Sequence, residues 1–338
     1  MKLIKTEEAV GQVLCHDMTQ IIPGEYKGPR FRKGHIVTKE DIPVLLSMGK
    51  ENLYIFEMDE NKLHENDAAE ILCKICKGKN ISRSEVKEGK IELTAEIDGL
   101  FTIDREKLST INSIEELMIA TRHGDTAVHK GDKLAGTRVI PLVIDKDKLT
   151  QTQNITDNTP ILNVLPYTLK TAAVITTGSE VYHGRIEDKF TPVIIEKLKG
   201  FGITVTEHLT VDDGIENITS AINSVKGKVD MILCTGGMSV DPDDNTPGAI
   251  KQSGADIITY GAPVLPGAMF LLGYYEDGTP VMGLPGCVMY AKATIFDLVL
   301  PRITAEVRLS KADFVAYGEG GLCLGCEQCT YPHCSFGK

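Results

Sequence analysis

The feature that most constrains this chain is the stretch from Asp230 to Ala249, Asp-Met-Ile-Leu-Cys-Thr-Gly-Gly-Met-Ser-Val-Asp-Pro-Asp-Asp-Asn-Thr-Pro-Gly-Ala. It opens with a short apolar run, Met231 to Cys234, that has the length and composition of a buried strand. The run breaks at Gly236-Gly237, where missing Cβ atoms let backbone N–H groups approach a ligand closely. Three carboxylates follow, Asp241, Asp243 and Asp244. Thr246-Pro247 then reads as an N-cap with proline at the first helical position. A strand, a glycine loop with acids and a helix start together predict an anion or metal–phosphate site at the C-terminal edge of a parallel sheet.

The rest of the chain sets limits on that site. Its 338 residues suggest two or three domains, with an ordinary apolar fraction of 42% and charged fraction of 25%. A net charge of −11 argues against nucleic acid or an anionic membrane as general partners. No apolar run approaches the ~20 residues needed to span a bilayer. The start, Met-Lys-Leu-Ile-Lys-Thr-Glu-Glu, lacks the apolar core of a signal peptide, so a cytoplasmic location is expected.

Residues 1–165 read as a smaller mixed α+β region. Gly24 to His35 is turn-rich and basic, and Arg30, Arg32 and Lys33 are expected to meet an anionic ligand, in a neighbouring subunit or in their own; a solvated loop is the plain alternative. Thr38 is expected to cap a helix over 39–48, and 52–57 to form a strand. The pattern from His64 to Lys77 is helical, with Cys73 and Cys76 on one face, read as buried packing rather than half a zinc site. A strand is expected over 137–144, and a connecting helix plus linker over 146–158.

Residues 166–310 read as an α/β domain with a doubly wound, mostly parallel sheet. Strands are expected over 171–177, 203–211 and 231–234, with a hairpin of 270–275 and 280–284 around Asp277-Gly278. Helices are expected from Thr191-Pro192, from a capping-box-like Asp213 and Glu216, from Thr246-Pro247, and over 289–299, with Pro301 bending or breaking the last.

The two acidic loops share a design. Asp188 precedes Thr191-Pro192, and Asp244 precedes Thr246-Pro247. One acid beside a helix start can simply complement the helix dipole. Two such loops, with Glu180 after the first strand and the Gly236-Gly237 pair, point instead to a functional site. Carboxylates that converge without basic partners repel one another, and Mg²⁺ held by one or two of them plus phosphate oxygens relieves this.

These residues carry a family resemblance. Thr176-Thr177-Gly178-Ser179-Glu180, Gly184-Arg185-Ile186-Glu187-Asp188, Thr235-Gly236-Gly237-Met238-Ser239-Val240, Asp244-Asn245-Thr246-Pro247 and Gly283-Leu284-Pro285-Gly286 recur in that order. Over roughly 168–308 the chain resembles the molybdopterin-binding domain shared by molybdenum insertases, molybdopterin adenylyltransferases and gephyrin. Residues 1–165 resemble, more weakly, the front part of short molybdopterin-binding proteins. The resemblance implies a site for molybdopterin or its adenylylated form with Mg²⁺. It implies Glu180, Asp188 and Asp244 as catalytic acids, with Thr177, Gly178, Ser179, Gly236, Gly237, Ser239, Pro285 and Gly286 against the ligand. In the insertion reaction the acids would hold Mg²⁺ on the pyrophosphate linkage while water or molybdate attacks phosphorus.

The chain also departs from the insertase pattern. Pro-Gly-Lys-Pro is here Pro266-Gly267-Ala268-Met269, Leu-Pro-Gly-Asn-Pro is Leu284-Pro285-Gly286-Cys287-Val288, and Ser-Val-Gly is Ser239-Val240-Asp241. Ligand binding is therefore a firmer expectation than molybdate insertion or nucleotidyl transfer. A non-catalytic carrier or sensor that serves a molybdoenzyme, and a nucleotide-processing hydrolase of the competence-damage type, are the alternatives. A homo-oligomer is expected.

Of nine cysteines, four crowd into a tail over 311–338: Cys323, Cys326, Cys329 and Cys334. Gly318 to Leu322 reads as a flexible lead-in with little capacity to pack. Ordering so short a segment costs about 1–2 kcal/mol per residue, which metal ligation can offset. The spacing fits zinc, and it fits an iron–sulfur cluster slightly better; His333 could replace one thiolate.

Overall fold

The structure is a computed structural model that describes residues 2–22, 24–55, 61–157, 159–242 and 244–338. The chain forms two compact units: residues Met1–Ile97, Thr102–Gly124 and Lys130–Val164 make the first, and Asp98–Phe101, Asp125–His129 and Leu165–Lys338 the second.

In the first unit the basic stretch is part of a hairpin, not only turns. Strand Met18–Ile22 pairs antiparallel with Tyr26–Phe31, and Arg30, Arg32 and Lys33 are exposed along and just past it. The helix expected over 39–48 covers Asp41–Ser47 and has no side-chain cap on its first turn; the Asp41 carboxylate instead accepts from the Thr38 backbone and hydroxyl. The strand expected over 52–57 is Asn52–Ile55, and positions 56 and 57 lie outside the described residues. Helix Glu65–Cys76 buries Ala68, Ala69, Leu72, Cys73, Ile75 and Cys76, and burial pushes both thiols up in pKa. The strand expected over 137–144 is two, Lys133–Val139 and Val143–Asp145.

The second unit is built on a six-stranded sheet. Its strands are β1 (Thr171–Thr177), β2 (Thr204–Val211), β3 (Met231–Thr235), β4 (Asp256–Tyr260), β5 (Leu271–Tyr274) and β6 (Pro280–Leu284), in the order β2-β1-β3-β6-β5-β4. The pairings among β2, β1, β3 and β6 are parallel, and those of β5 with β6 and β4 are antiparallel. Only β5 therefore runs against the other strands, which makes the sheet mixed. The central strands are apolar on both sides because both faces are covered. Val174, Leu233, Leu272 and Met282 pack in one core with Ile194, Leu198 and Phe296. Their neighbours Ala173, Ile232, Leu271 and Val281 pack in the other with Ile218, Ile222 and Ile250. Each fully buried aliphatic side chain contributes about 1.5–3 kcal/mol.

Six helices complete the unit: α1 (Ser179–Tyr182), α2 (Phe190–Lys199), α3 (Ile215–Val225), α4 (Thr246–Gln252), α5 (Ile295–Thr304) and α6 (Lys311–Ala316). The chain leaves β1 for β2 on one side and comes back to β3 on the other. The gap between the C-terminal ends of β1 and β3 is thus a switch point, the place where open α/β sheets form ligand crevices. Four helix starts differ from their sequence reading; α2 begins at Phe190, one residue before Thr191. Thr246 is the first residue of α4 rather than its cap. Asp213 does not cap α3, whose N-cap is Gly214. The last long helix begins at Ile295, after the short 3₁₀ turn Gly286–Met289, because Thr294 and Asp297 form a capping box there. Pro301 lies inside α5 without ending it.

The tail is not a loose appendage. Phe314 and Phe336 are buried in the same core as α2 and α5, with Tyr331, Cys323 and Cys334 packed on it. The glycine lead-in packs because it has no side chains: a Cβ on Gly321 would lie 2.3 Å from the Pro263 and Tyr317 carbonyl oxygens. Pro301 has no N–H, which frees the carbonyl of Asp297 one turn earlier. The Tyr331 hydroxyl donates to that carbonyl at 2.9 Å. Among the described residues no helix is long and apolar enough to cross a membrane.

Candidate functional site

Two loops of similar sequence leave the adjacent strands β1 and β3, and they are used differently. After β1, Asp188 accepts four hydrogen bonds. Its Oδ1 receives the backbone N–H groups of Phe190 and Thr191 at 2.8 and 3.0 Å. Its Oδ2 receives the hydroxyls of Thr191 and Thr176 at 2.6 and 3.0 Å, with His208 Nε2 3.4 Å away. Partial burial acts to raise the Asp188 pKa, but these hydrogen bonds more than offset it, and the carboxyl lies below its ordinary value. Asp188 thereby supplies the first turn of α2 with acceptors and ties it to β1.

The neighbouring Ser179 is also engaged. Its backbone N–H donates to Asp213 Oδ2 at 2.8 Å, and its Oγ lies 2.7 Å from Asp212 Oδ1 and 3.0 Å from Asp213 Oδ2. The bond from Ser179 is the main reason Asp212 sits below the usual carboxylate range. Glu180 is exposed on the short helix α1.

After β3 the backbone comes unusually close to β1. Gly236 has φ +85°, and a Cβ there would stand 2.3 Å from the Thr177 carbonyl oxygen. The Thr246 hydroxyl donates to the Gly236 carbonyl at 2.8 Å and lies 3.2 Å from Thr177 Oγ1. Both threonines are buried, so this bonding satisfies them in place. Tyr260, at the end of β4, donates to the carbonyls of Met238 and Ser239 at 3.0 and 3.1 Å and pins the far side of the loop.

A cavity of about 560 Å³ opens beside this loop. Gly236, Gly237, Ser239 and Asp244 line one side, and Pro285 and Gly286 line another. Phe190, Met269, Met289 and Tyr290 add apolar and aromatic walls. The fold thus gathers six of the sequence-derived residues on one cavity. Thr177, Gly178, Ser179, Glu180 and Asp188 are not among those that line it; Thr177 buttresses Gly236 from behind. Asp243 lies outside the described residues. Among the described residues that line the cavity Asp244 is the only charged one, and none is cationic. Its Oδ2 accepts from the Asp241 backbone at 3.1 Å.

Sequence reasoning missed Asp212, Phe190 and Tyr290, and it read Asp213 only as a cap; Met269 it named only as part of the altered Pro266-Gly267-Ala268-Met269 loop. The acid pair at the end of β2 repeats the acid-after-strand pattern of the other two loops, and that could have drawn attention to it. Nothing local marks Phe190 or Tyr290, which two separate segments bring to the cavity. The four tail cysteines also line one cavity, of about 310 Å³. Among the described residues no group of three or more His, Cys, Asp or Glu is arranged to hold a metal ion.

A mostly parallel open sheet with a glycine loop and an acid at its switch point defines an α/β domain of the doubly wound class. The comparisons narrow this. Residues 173–305 match the family model described as "Probable molybdopterin binding domain". Residues 3–57 match a domain of unknown function (DUF8806). A molybdopterin molybdenumtransferase of Staphylococcus epidermidis is 26% identical over 306 residues, covering 84% of this chain and 66% of that protein. A CinA-like protein of Pseudothermotoga lettingae is 39% identical over 85 residues, 25% of this chain and 21% of that protein. Among solved structures, the tungsten cofactor synthesizing protein MoaB from Pyrococcus furiosus aligns at TM-score 0.35 and 21% identity, covering 43% of this chain and 99% of that one. The chain thus spans just under two thirds of the molybdenumtransferase and about a fifth of the CinA-like protein.

Proposed function

We propose that the second unit binds molybdopterin or its adenylylated form in molybdenum-cofactor biosynthesis. The observation that carries this reading is the cavity that joins the Gly236-Gly237 loop, Asp244 and Pro285-Gly286. Its apolar and aromatic walls suit a flat pterin, and its glycine backbone suits close approach of a phosphate. A phosphate beside Asp244 with no lining cation would be repelled, which fits a divalent ion shared between them. Mg²⁺ would be held by Asp244 and by phosphate oxygens and would neutralise their charge. Asp188 holds the adjoining loop, and Glu180 faces solvent next to it. The finer proposal is turnover of the adenylylated pterin, with AMP leaving as molybdate enters. A carrier that hands the cofactor to a molybdoenzyme is favoured by one observation: Ala268 and Met269 line the cavity where insertases carry a lysine. The cysteine-rich tail is proposed as a metal site, iron–sulfur or zinc.

Incubation with adenylylated molybdopterin, Mg²⁺ and molybdate tests these readings. AMP release with metal insertion supports the enzyme, and tight binding without turnover supports the carrier. Hydrolysis of ordinary nucleotides with no pterin binding overturns both.

A further inference from the structure

We infer that the tail cavity holds an iron–sulfur cluster ligated by Cys323, Cys326, Cys329 and Cys334, an inference that rests on reading the tail as a metal site. All four thiols line this one cavity although eleven positions separate the first from the last. All four are free thiols; Cys323 and Cys334 are half-buried, and Cys326 and Cys329 are exposed. The chain that carries them is fixed at both ends. At one end the Cys323 backbone N–H donates to the Leu265 carbonyl, and the Leu265 N–H to Gly321, both at 2.8 Å. At the other, Phe336 is buried and the Tyr331 hydroxyl holds the carbonyl that Pro301 leaves free. Anchors at both ends hold the cysteine-bearing segment against the domain, as a preorganised metal centre requires.

The donor set and its spacing decide the class. Thiolates select zinc, copper(I) and iron–sulfur clusters over harder ions. Zinc draws four sulfurs to about 2.3 Å around one point and leaves no space between them. Here the Cys-x2-Cys-x2-Cys run follows the ferredoxin-type cluster run, departing from it only in the four residues before the last cysteine, and all four thiols line the cavity of about 310 Å³. A cluster would bring its own iron and sulfide, with the four cysteines as its thiolate ligands. His333 is exposed and is not among the residues that line the cavity, which leaves an all-cysteine set.

The test uses the full chain, purified anaerobically and reconstituted with ferrous iron and sulfide. The expected result is bound iron and acid-labile sulfide in a ratio of about one to one, with visible charge-transfer absorbance. Cys326→Ser and Cys329→Ser alter exposed positions, so both variants should keep the wild-type circular dichroism and lose most of the bound iron and colour. Stoichiometric zinc with no iron would overturn the cluster while keeping a metal site. Four thiols that alkylate freely after reconstitution would overturn both. Unchanged cluster content in the two serine variants would overturn the ligand assignment.

Discussion

The loops that follow β1 and β3 share one sequence device, an acid followed closely by Thr-Pro, yet the fold surrounds the two acids differently. In the first, both oxygens of Asp188 are taken by the protein's own donors, and its pKa is lowered accordingly. In the second, Asp244 lines a cavity, and among the described residues its carboxylate accepts only from the Asp241 backbone N–H. A carboxylate with its lone pairs filled is a clasp; one that faces open space beside a glycine loop is a candidate ligand. The difference arises behind the loops. Thr176 points to Asp188 in the first, whereas Thr177 braces Gly236 and Thr246 in the second.

The sharpest way to break this comparison is at the point where the loops touch. Gly236→Ala places a methyl against the Thr177 carbonyl in a left-handed conformation. It should cost about 3 kcal/mol or more in urea unfolding. A loss below about 1 kcal/mol would show that the two loops are not locked together. Asp188→Asn should come next, at about 2 kcal/mol of stability, because it removes charge-assisted bonds and the acceptor for the first turn of α2. Affinity of the folded variant for a pterin phosphate should stay within about twofold of wild type.

The pH dependence sharpens the same point. A lowered folded pKa means that Asp188 contributes stability above its unfolded value of about 3.9. That contribution disappears as the pH falls through the folded value. The gap between wild type and Asp188→Asn, measured by unfolding at a series of pH values, should close progressively below about pH 4. A gap that stays constant into strong acid would break the clasp assignment.

Asp244→Asn should behave in the opposite way. Mg²⁺-dependent binding of the pterin phosphate should weaken about tenfold, or 1.4 kcal/mol, by calorimetry. Stability should change by no more than about 0.5 kcal/mol. Equal binding with and without the carboxylate would remove Asp244 from the site. The smallest effect is expected at Thr246→Val, which loses the bond to Gly236 and should cost about 1 kcal/mol of stability. A variant as stable as wild type would place the brace elsewhere.

Much of this could be read from the residues before any coordinates. The apolar runs of β1 and β3 and the hairpin of β5 and β6 follow from composition and turn chemistry. The glycine pair, Asp244 and Pro285-Gly286 stand out because few residue types suit a close phosphate approach. The residues that were missed have no such local mark. Strand β4, Asp256–Tyr260, is only partly buried and looks polar, and its place depends on pairing with β5. Asp213 resembles a helix cap in sequence, yet Ser179, thirty-four positions away, takes its carboxylate. The tail looks too poor in apolar residues to fold, because its partners, α5 and the Pro263–Leu265 segment, come from elsewhere in the chain.

The sequence by itself determined the strand and loop chemistry of the second unit, because hydrophobic runs, glycine freedom and helix signals are local properties. Tertiary structure alone decided which acid is a clasp and which faces a cavity, since hydrogen-bond saturation depends on donors from distant strands. It also decided that the four tail thiols share one cavity. The carbonyl freed by Pro301 takes the Tyr331 hydroxyl, and the glycines of the lead-in admit neighbouring backbone at a distance no side chain would allow.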